Sequence, residues 1–390
     1  APLQEQIVEK LAEVVETCGF VLGPELSKLE NTIADYSQVK HMIGCASGSD
    51  ALLMALMAYD IGPGDEVIVP SFTFFATASA VARLGATPVF ADIDPVSYNM
   101  DPAHTESLIT QNTKAIIPVH LYGQAAEMDA FCEMGRKHGI HIIEDAAQSI
   151  GAELNGRRAG SMGSIGCFSF YPTKNLGGAG DGGMVSTNDD EIAHKLRLLR
   201  VHGMEPRYYH SVIGINSRID AFQAVVLNIK MQHIDECTQL RIDNALRYTE
   251  MFVEAGLDQE IGLPQEGPNR RHVWNQYIVR VPDGKRDELR QFLADAKIGS
   301  EVYYPLGLHE QECFKYLGYK KGDLPNTDAA TVEVLALPIF PELTADEQRV
   351  VVDRIAEFYA TASGPHRTVK APHFLKQETT AKATAEKESR

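Results

Sequence analysis

Positive charge is what this chain is short of. Lysine and arginine number 36 against 53 aspartates and glutamates, a formal net charge of −17. So acidic a surface disfavours nucleic acid and anionic membranes as partners. It leaves room for an anionic small molecule, because a site can be locally basic. Cysteine pairs are missing too. The six cysteines, Cys18, Cys45, Cys132, Cys167, Cys237 and Cys313, include no Cys-x-x-Cys. That argues against a zinc site and against a disulfide framework. Several lie in apolar runs, where cysteine acts as a small hydrophobe, and the expected setting is reducing and cytoplasmic. No signal peptide and no run long enough to span a bilayer occurs. Internal repeats are absent. The chain opens without Met, and residues 3–11 already read as the middle of an amphipathic helix, so a few native residues are expected to precede Ala1.

What is present is an ordinary globular balance, 44 % apolar and 23 % charged over 390 residues. That is enough for a large domain and a smaller one. Residues 1–40 predict two helices around Gly19-Phe20-Val21-Leu22-Gly23-Pro24. Strand-like runs follow near 42–46, 67–70, 88–92, 115–119, 140–144, 166–170 and 183–187. Helical patterns such as 50–59, 75–84 and 126–138 separate most of them, which predicts βαβ units and a mainly parallel sheet flanked by helices. Only a glycine-rich loop separates the last two strands, too short for a helical crossover, so the last is expected to run antiparallel. From 217 to 256 the pattern is helical and nearly unbroken. It leads to a smaller α+β region with strands expected at 277–281 and 301–304. The division expected is an α/β large domain over 1–240, a small C-terminal α+β domain over 241–362, and a disordered or appended tail over 363–390, rich in Lys, Thr, Ala and Glu.

The chemistry centres on Lys174, in Cys167-Phe168-Ser169-Phe170-Tyr171-Pro172-Thr173-Lys174-Asn175-Leu176-Gly177-Gly178. An apolar strand stops at a proline, and a lone lysine precedes a glycine-rich loop. An earlier strand, His141-Ile142-Ile143-Glu144, ends in Asp145. Taken singly, a lysine is usually a solvated charge and an aspartate at a strand end usually caps a helix. Together, an amine and a carboxylate at the carboxyl ends of buried strands suit pyridoxal phosphate. The amine forms a Schiff base, and the carboxylate keeps a pyridinium nitrogen protonated. Ala46-Ser47-Gly48-Ser49-Asp50 joins a strand to a helix, and small residues there free backbone N–H groups for a phosphate. Ser169 offers a hydroxyl to the same group. Gly178-Ala179-Gly180-Asp181-Gly182-Gly183 fits G-x-G-x-x-G, but strand-like residues follow it, which excludes a dinucleotide site. His120, His202 and His309 lack metal-site spacing.

The ordered set of motifs resembles the DegT/DnrJ/EryC1/StrS sugar aminotransferases, within the fold-type I aspartate aminotransferase superfamily. It comprises Gly23-Pro24-Glu25, Ser47-Gly48-Ser49, Gly62-Pro63-Gly64-Asp65-Glu66-Val67, Pro70-Ser71-Phe72-Thr73-Phe74, Glu144-Asp145-Ala146-Ala147-Gln148, Ser169 to Asn175, and Gly214-Ile215-Asn216-Ser217-Arg218-Ile219-Asp220, covering about 1–360. The resemblance implies pyridoxal 5'-phosphate as cofactor, with Lys174 as its Schiff-base lysine and Asp145 at the pyridine nitrogen. It implies Gln148 at the ring hydroxyl, Phe74 stacked on the ring, and Ser49, Asp50 and Ser169 around the phosphate. Asn216 resembles the asparagine that reaches the phosphate from a neighbouring subunit, which implies a homodimer with shared sites. Arg218, Tyr303, Tyr304 and His309 are the expected substrate contacts. The family usually carries Thr-Ala after the Ser-Gly; here Ser49-Asp50 stands instead. Relatives with histidine for the lysine are dehydratases, and Lys174 argues against that branch.

The expected reaction moves an amino group from L-glutamate to a ketone of a nucleotide-linked sugar. The Asn-Ser-Arg run looks more like the 3-keto branch than the 4-keto branch. Two other readings stay open at this point. One is a non-nucleotide ketone such as a keto-inositol. The other is a non-catalytic regulator on the same fold, against which stand the charge, the lack of a helix-turn-helix and the intact Lys174 and Asp145.

Overall fold

The computed structural model describes residues 3–362. The expected tail over 363–390 lies outside the described residues. In chain order the first half runs α1 (Gln4–Thr17), α2 (Pro24–Tyr36), β1 (His41–Cys45), α3 (Gly48–Ala58), β2 (Glu66–Pro70), α4 (Ala76–Arg83), β3 (Thr87–Ala91), α5 (Pro102–Ser107), β4 (Thr113–Ile116), α6 (Met128–His138) and β5 (His141–Asp145). Then come β6 (Glu153–Leu154), β7 (Arg157–Arg158), β8 (Ile165–Ser169), β9 (Gly183–Thr187), α7 (Asp190–Leu199), α8 (Ala221–Met231) and α9 (Ile234–Glu254). The last part holds β10 (Arg270–Arg271), β11 (Tyr277–Arg280), α10 (Arg286–Asp295), α11 (Pro325–Glu333), β12 (Val334–Leu337) and α12 (Ala345–Ala362).

Seven strands form one sheet in the order β1-β9-β8-β5-β4-β2-β3. β9 pairs antiparallel with both β8 and β1, while β8, β5, β4, β2 and β3 pair parallel along the rest. The short glycine-rich link to β9 dictates that reversal. The strands read as near-continuous apolar runs because both faces are covered. Leu52, Leu56, Val81 and Leu196 cover one face, and Leu29, Ile33, Leu227 and Phe131 belong to clusters on the other. A separate core joins β11 and β12 to α9, α10 and α12 through Tyr248, Phe252, Tyr277, Leu289 and Val352.

Two expectations need correction. The helix near 217–256 starts at Ala221, with Asp220 as its cap, and breaks between Met231 and Ile234. Its cap is the Asp220 carboxylate, which accepts from the Gln223 N–H. The stretch at 301–304 is no strand; Glu301 makes a single bridge to Ala336. The strand that pairs with β11 is β12.

Candidate active site

Four strands deliver their carboxyl ends to one place, where ligands of open α/β sheets bind. β1 runs into Ser47-Gly48-Ser49, and β2 into Thr73-Phe74-Phe75. β5 ends on Asp145, and β8 leads through Pro172 to Lys174. These residues wall a cavity of about 820 Å³, closed on the far side by Gln276, Tyr303, Tyr304, Pro305 and Leu306. Among the described residues its one cationic lining side chain is Lys174, and Asp145 and Asp181 are its acids.

β8 ends at Ser169, and Pro172, which has no N–H for the ladder, keeps the strand from resuming. The chain then turns, with the Lys174 N–H donating to the Tyr171 carbonyl at 2.9 Å and the Gly178 N–H to Phe170 at 2.7 Å. That turn aims the lysine back over the sheet end. Burial pulls the Lys174 amine below the ordinary lysine range, and the Asp145 charge opposes the shift. Burial pushes the Asp145 carboxyl up. Hydrogen bonds pull it back: Thr77 Oγ1 donates to Oδ2 at 2.8 Å, and the Ala147 N–H to Oδ1 at 3.2 Å. The opposite charge thus opposes desolvation on both groups, and hydrogen bonds to the charged form do so on Asp145.

Gln148 is fixed at one end. Tyr122, with a left-handed backbone (φ 61°), aims its N–H at Gln148 Oε1, 2.7 Å away. The amide nitrogen is thereby turned toward the Tyr304 hydroxyl at 3.5 Å. Phe74 is 59 % exposed, although it stands beside the buried Phe72. It lines the cavity 6.4 Å, centroid to centroid, from Tyr304. An aromatic held open to a cavity is a platform rather than core.

The first turn of α3 forms the opposite wall. Ser47 caps it, its Oγ accepting from the Asp50 N–H at 3.1 Å and its carbonyl from Ala51 at 3.0 Å. The Gly48 and Ser49 N–H groups come before those acceptors are used and lie on the cavity wall. Glycine is required at 48, where an added Cβ would sit 2.6 Å from the Ser169 Cβ. At Gly183 a Cβ would lie 2.4 Å from the Ser47 backbone. Both contacts draw β8 and β9 tight against the helix N-terminus, the partly positive end that favours a phosphate.

Lys174, Asp145, Gln148, Phe74, Ser49, Ser169, Tyr303 and Tyr304 therefore share one cavity. Four expected site residues stand elsewhere. Asp50 spends its N–H on Ser47, and its carboxylate accepts from Ser217 Oγ at 2.7 Å, so the backbone donors left for an anion are Gly48 and Ser49. His309 is 1 % exposed, its Nδ1 2.6 Å from Ser71 Oγ, behind the wall rather than on it. Asn216 is exposed and bridges by backbone to Val201; Arg218 is half-buried; neither lines this chain's cavity. Thr77, Asp181 and Gln276 are site residues that sequence reasoning passed over. Thr77 had no signal beyond lying one helical turn after Phe74.

The profile of the DegT/DnrJ/EryC1/StrS aminotransferase family matches residues 2–356. The chain belongs to that family. A relative from Geobacillus stearothermophilus, named a pleiotropic regulatory protein, is 53 % identical over 92 % of this chain and 95 % of its own. A UDP-N-acetyl-3-dehydro-alpha-D-glucosamine 3-aminotransferase from Acidithiobacillus ferrooxidans is 46 % identical, covering 89 % of this chain and 92 % of its own. Among solved structures, S. venezuelae DesV in complex with a ketimine intermediate superposes with a TM-score of 0.88 at 42 % identity, over 92 % of this chain and 95 % of that one. The fold is that of the family's aminotransferases. Among the described residues no helix is long and apolar enough to cross a membrane.

Proposed function

We propose that this protein is a pyridoxal-phosphate-dependent aminotransferase that carries the amino group of L-glutamate to the 3-keto group of a nucleotide-linked sugar. The observation that carries the reading is the meeting of Lys174, Asp145 and the α3 N-terminus in one cavity. The residues fit the cofactor: an amine, a buried acid, an open aromatic and a helix start that tolerates no side chain at Gly48. Pyridoxal phosphate, when bound, supplies the electron sink that lets a proton leave the amino-acid Cα.

The chain's own groups do the rest. Asp145 holds a proton on the pyridine nitrogen by opposite charge. With the cofactor in place, the Lys174 amine would move a proton off the donor Cα and return one to the acceptor carbon. Positioned proton transfer of this kind contributes about 10²–10⁴-fold. Phe74 would cover one ring face, Gln148 would meet the ring hydroxyl, and the Gly48 and Ser49 N–H groups with Ser169 would hold the phosphate. Asn216 acts on the phosphate of a partner subunit, and Arg218 and the Arg207-Tyr208-Tyr209-His210 loop supply charge to the nucleotide's diphosphate. The same reading implies a homodimer with shared sites, and six free cysteines suit a cytoplasmic setting.

The test uses holoenzyme, 2-oxoglutarate and a panel of UDP- and dTDP-linked 3-amino sugars run in reverse. Glutamate should form with at least one of them. Borohydride should fix the cofactor on a peptide holding Lys174; an adduct on another lysine sinks the site. The regulatory name of the Geobacillus relative supports a second reading, a non-catalytic regulator. Retarded DNA in a gel shift, without half-reaction by glutamate, would favour it.

A further inference from the structure

The wall that closes the cavity, 303–308, is held from behind by a buried polar chain. Ser71 follows β2 directly, three residues before Phe74. Its carbonyl accepts from the Leu308 N–H at 2.8 Å, and its Oγ lies 3.3 Å from the His309 N–H and 2.6 Å from His309 Nδ1. On the other edge of the ring, His309 Nε2 stands 3.5 Å from Asp328 Oδ1. Among the described residues, neither of those two atoms has a hydrogen-bond partner. The other Asp328 oxygen accepts from the Gly322 N–H at 2.6 Å. Asp328 sits on α11, and α11 is itself moored to the large sheet. Asp92, just past β3, accepts from the Asn326 N–H at 3.0 Å and from the Thr327 N–H and hydroxyl at 2.8 Å. A Ser-His-Asp series suggests a nucleophile, but Ser71 is fully buried and no substrate reaches it.

We propose that His309 is a positioning residue. It links Ser71, on the segment that carries Phe74, to Asp328 on α11. In doing so it fixes the 303–308 wall at the spacing the acceptor sugar needs. The inference rests on the function proposed above. The inner end of this wall, Tyr304, stands 3.5 Å from the Gln148 amide; its Pro305–Leu306 end is the part a large acceptor meets. Leu306 lines the cavity and is 36 % exposed, whereas Asp145 is buried. A five-carbon donor reacting beside Lys174 does not extend to that end, whereas a nucleotide-linked sugar has to pass it. Loss of His309 should therefore weaken acceptor binding and spare the donor.

The experiment compares wild type with His309→Gln, His309→Asn and Asp328→Asn, each as holoenzyme. The glutamate half-reaction is followed by absorbance in single turnover. The reverse reaction uses whichever UDP- or dTDP-linked 3-amino sugar the wild type accepts. Expected is a rise of about tenfold in KM for the amino sugar, equal to ~1.4 kcal/mol. The glutamate half-reaction should stay within about twofold, because a uniform binding loss acts on KM alone. Ser71→Ala should add nothing in a His309→Asn background, since residues acting through one partner are not additive. Equal loss in both half-reactions, or full additivity of Ser71→Ala with His309→Asn, overturns the proposal. His309 Nε2 and Asp328 Oδ1 lie with Glu310 within 4.8 Å, the spacing of a cation site. A rise in wild-type acceptor KM after dialysis against EDTA would replace the relay with such a cation. If the wild type accepts no sugar of the panel, the proposed function fails. If it does and the variants match it, the inference alone fails.

Discussion

Lys174 and Asp145 are each shifted against their charged form by burial, and each charge offsets the other's shift. The balance has a measurable consequence. Only the unprotonated amine attacks a carbonyl, so apoenzyme should capture pyridoxal phosphate faster as pH rises. Because burial lowers the Lys174 amine, the midpoint should fall below the ordinary lysine range. Removing the Asp145 charge removes the attraction that raises that amine, so Asp145→Asn should move the midpoint lower still. Rapid-mixing absorbance over a pH series checks both; a midpoint that rises in Asp145→Asn contradicts the pairing. The same substitution should leave cofactor bound yet slow the glutamate half-reaction by at least about 10²-fold, as removing a preorganised charge does. Near-normal turnover would make Asp145 only a structural residue. The pair was legible in the sequence because strand ends, a proline stop and a lone lysine are local signals. The side-chain settings of Asp50 and His309 were not legible, because the groups that hold them, Ser217 and Ser71, are remote in sequence.

At the scale of elements, the α3 N-terminus is set by contact rather than by capping alone. Gly48→Ala would drive a Cβ to 2.6 Å from Ser169. The helix start should back away from the cavity, and pyridoxal phosphate affinity should fall about tenfold or more, the equivalent of ~1.4 kcal/mol. Dialysis followed by absorbance of the retained cofactor measures it; full retention means the N–H groups do not hold the phosphate. Behind β5, the buried Glu144 gathers four donors. The N–H groups of Gly160, Met162 and Gly163 and the ring of His120 approach it at 2.6–2.8 Å. Glu144→Gln turns an amide N–H₂ toward donors, leaving buried groups unpaired. The expected cost is about 3 kcal/mol, read as a lower midpoint in urea; an unchanged midpoint would mean the hub is dispensable. The main strands were readable because buried parallel strands are apolar runs with fixed punctuation. β6, β7, β10 and β12 were not, being short or set by pairing with distant partners. The break in α8–α9 carries no proline or glycine, and so left no signal.

At the scale of the whole molecule, the described residues give one chain's cavity a single cation, Lys174, while the proposed donor and acceptor are both anionic. The missing donors have to come from outside that wall. The segment before α8 is the natural source. Tyr208, Tyr209 and Ile213 stand 74 %, 71 % and 92 % exposed on this chain, and Asn216 and Arg218 follow them without touching their own cavity. Apolar side chains bared together in this way suit a contact with a second copy. Under the shared-site reading, Asn216→Ala and Lys174→Ala chains should each be inactive alone. In a mixed dimer, the site built on the Asn216→Ala chain keeps its own Lys174 and receives an intact Asn216 from the partner. The other site collects both lesions. Co-refolded chains should then recover up to about half the activity per heterodimer formed, one whole site of two. Heterodimers isolated with two different affinity tags give the measurement directly. If they remain inactive although each contains both chains, Asn216 serves its own subunit and the sites are not shared.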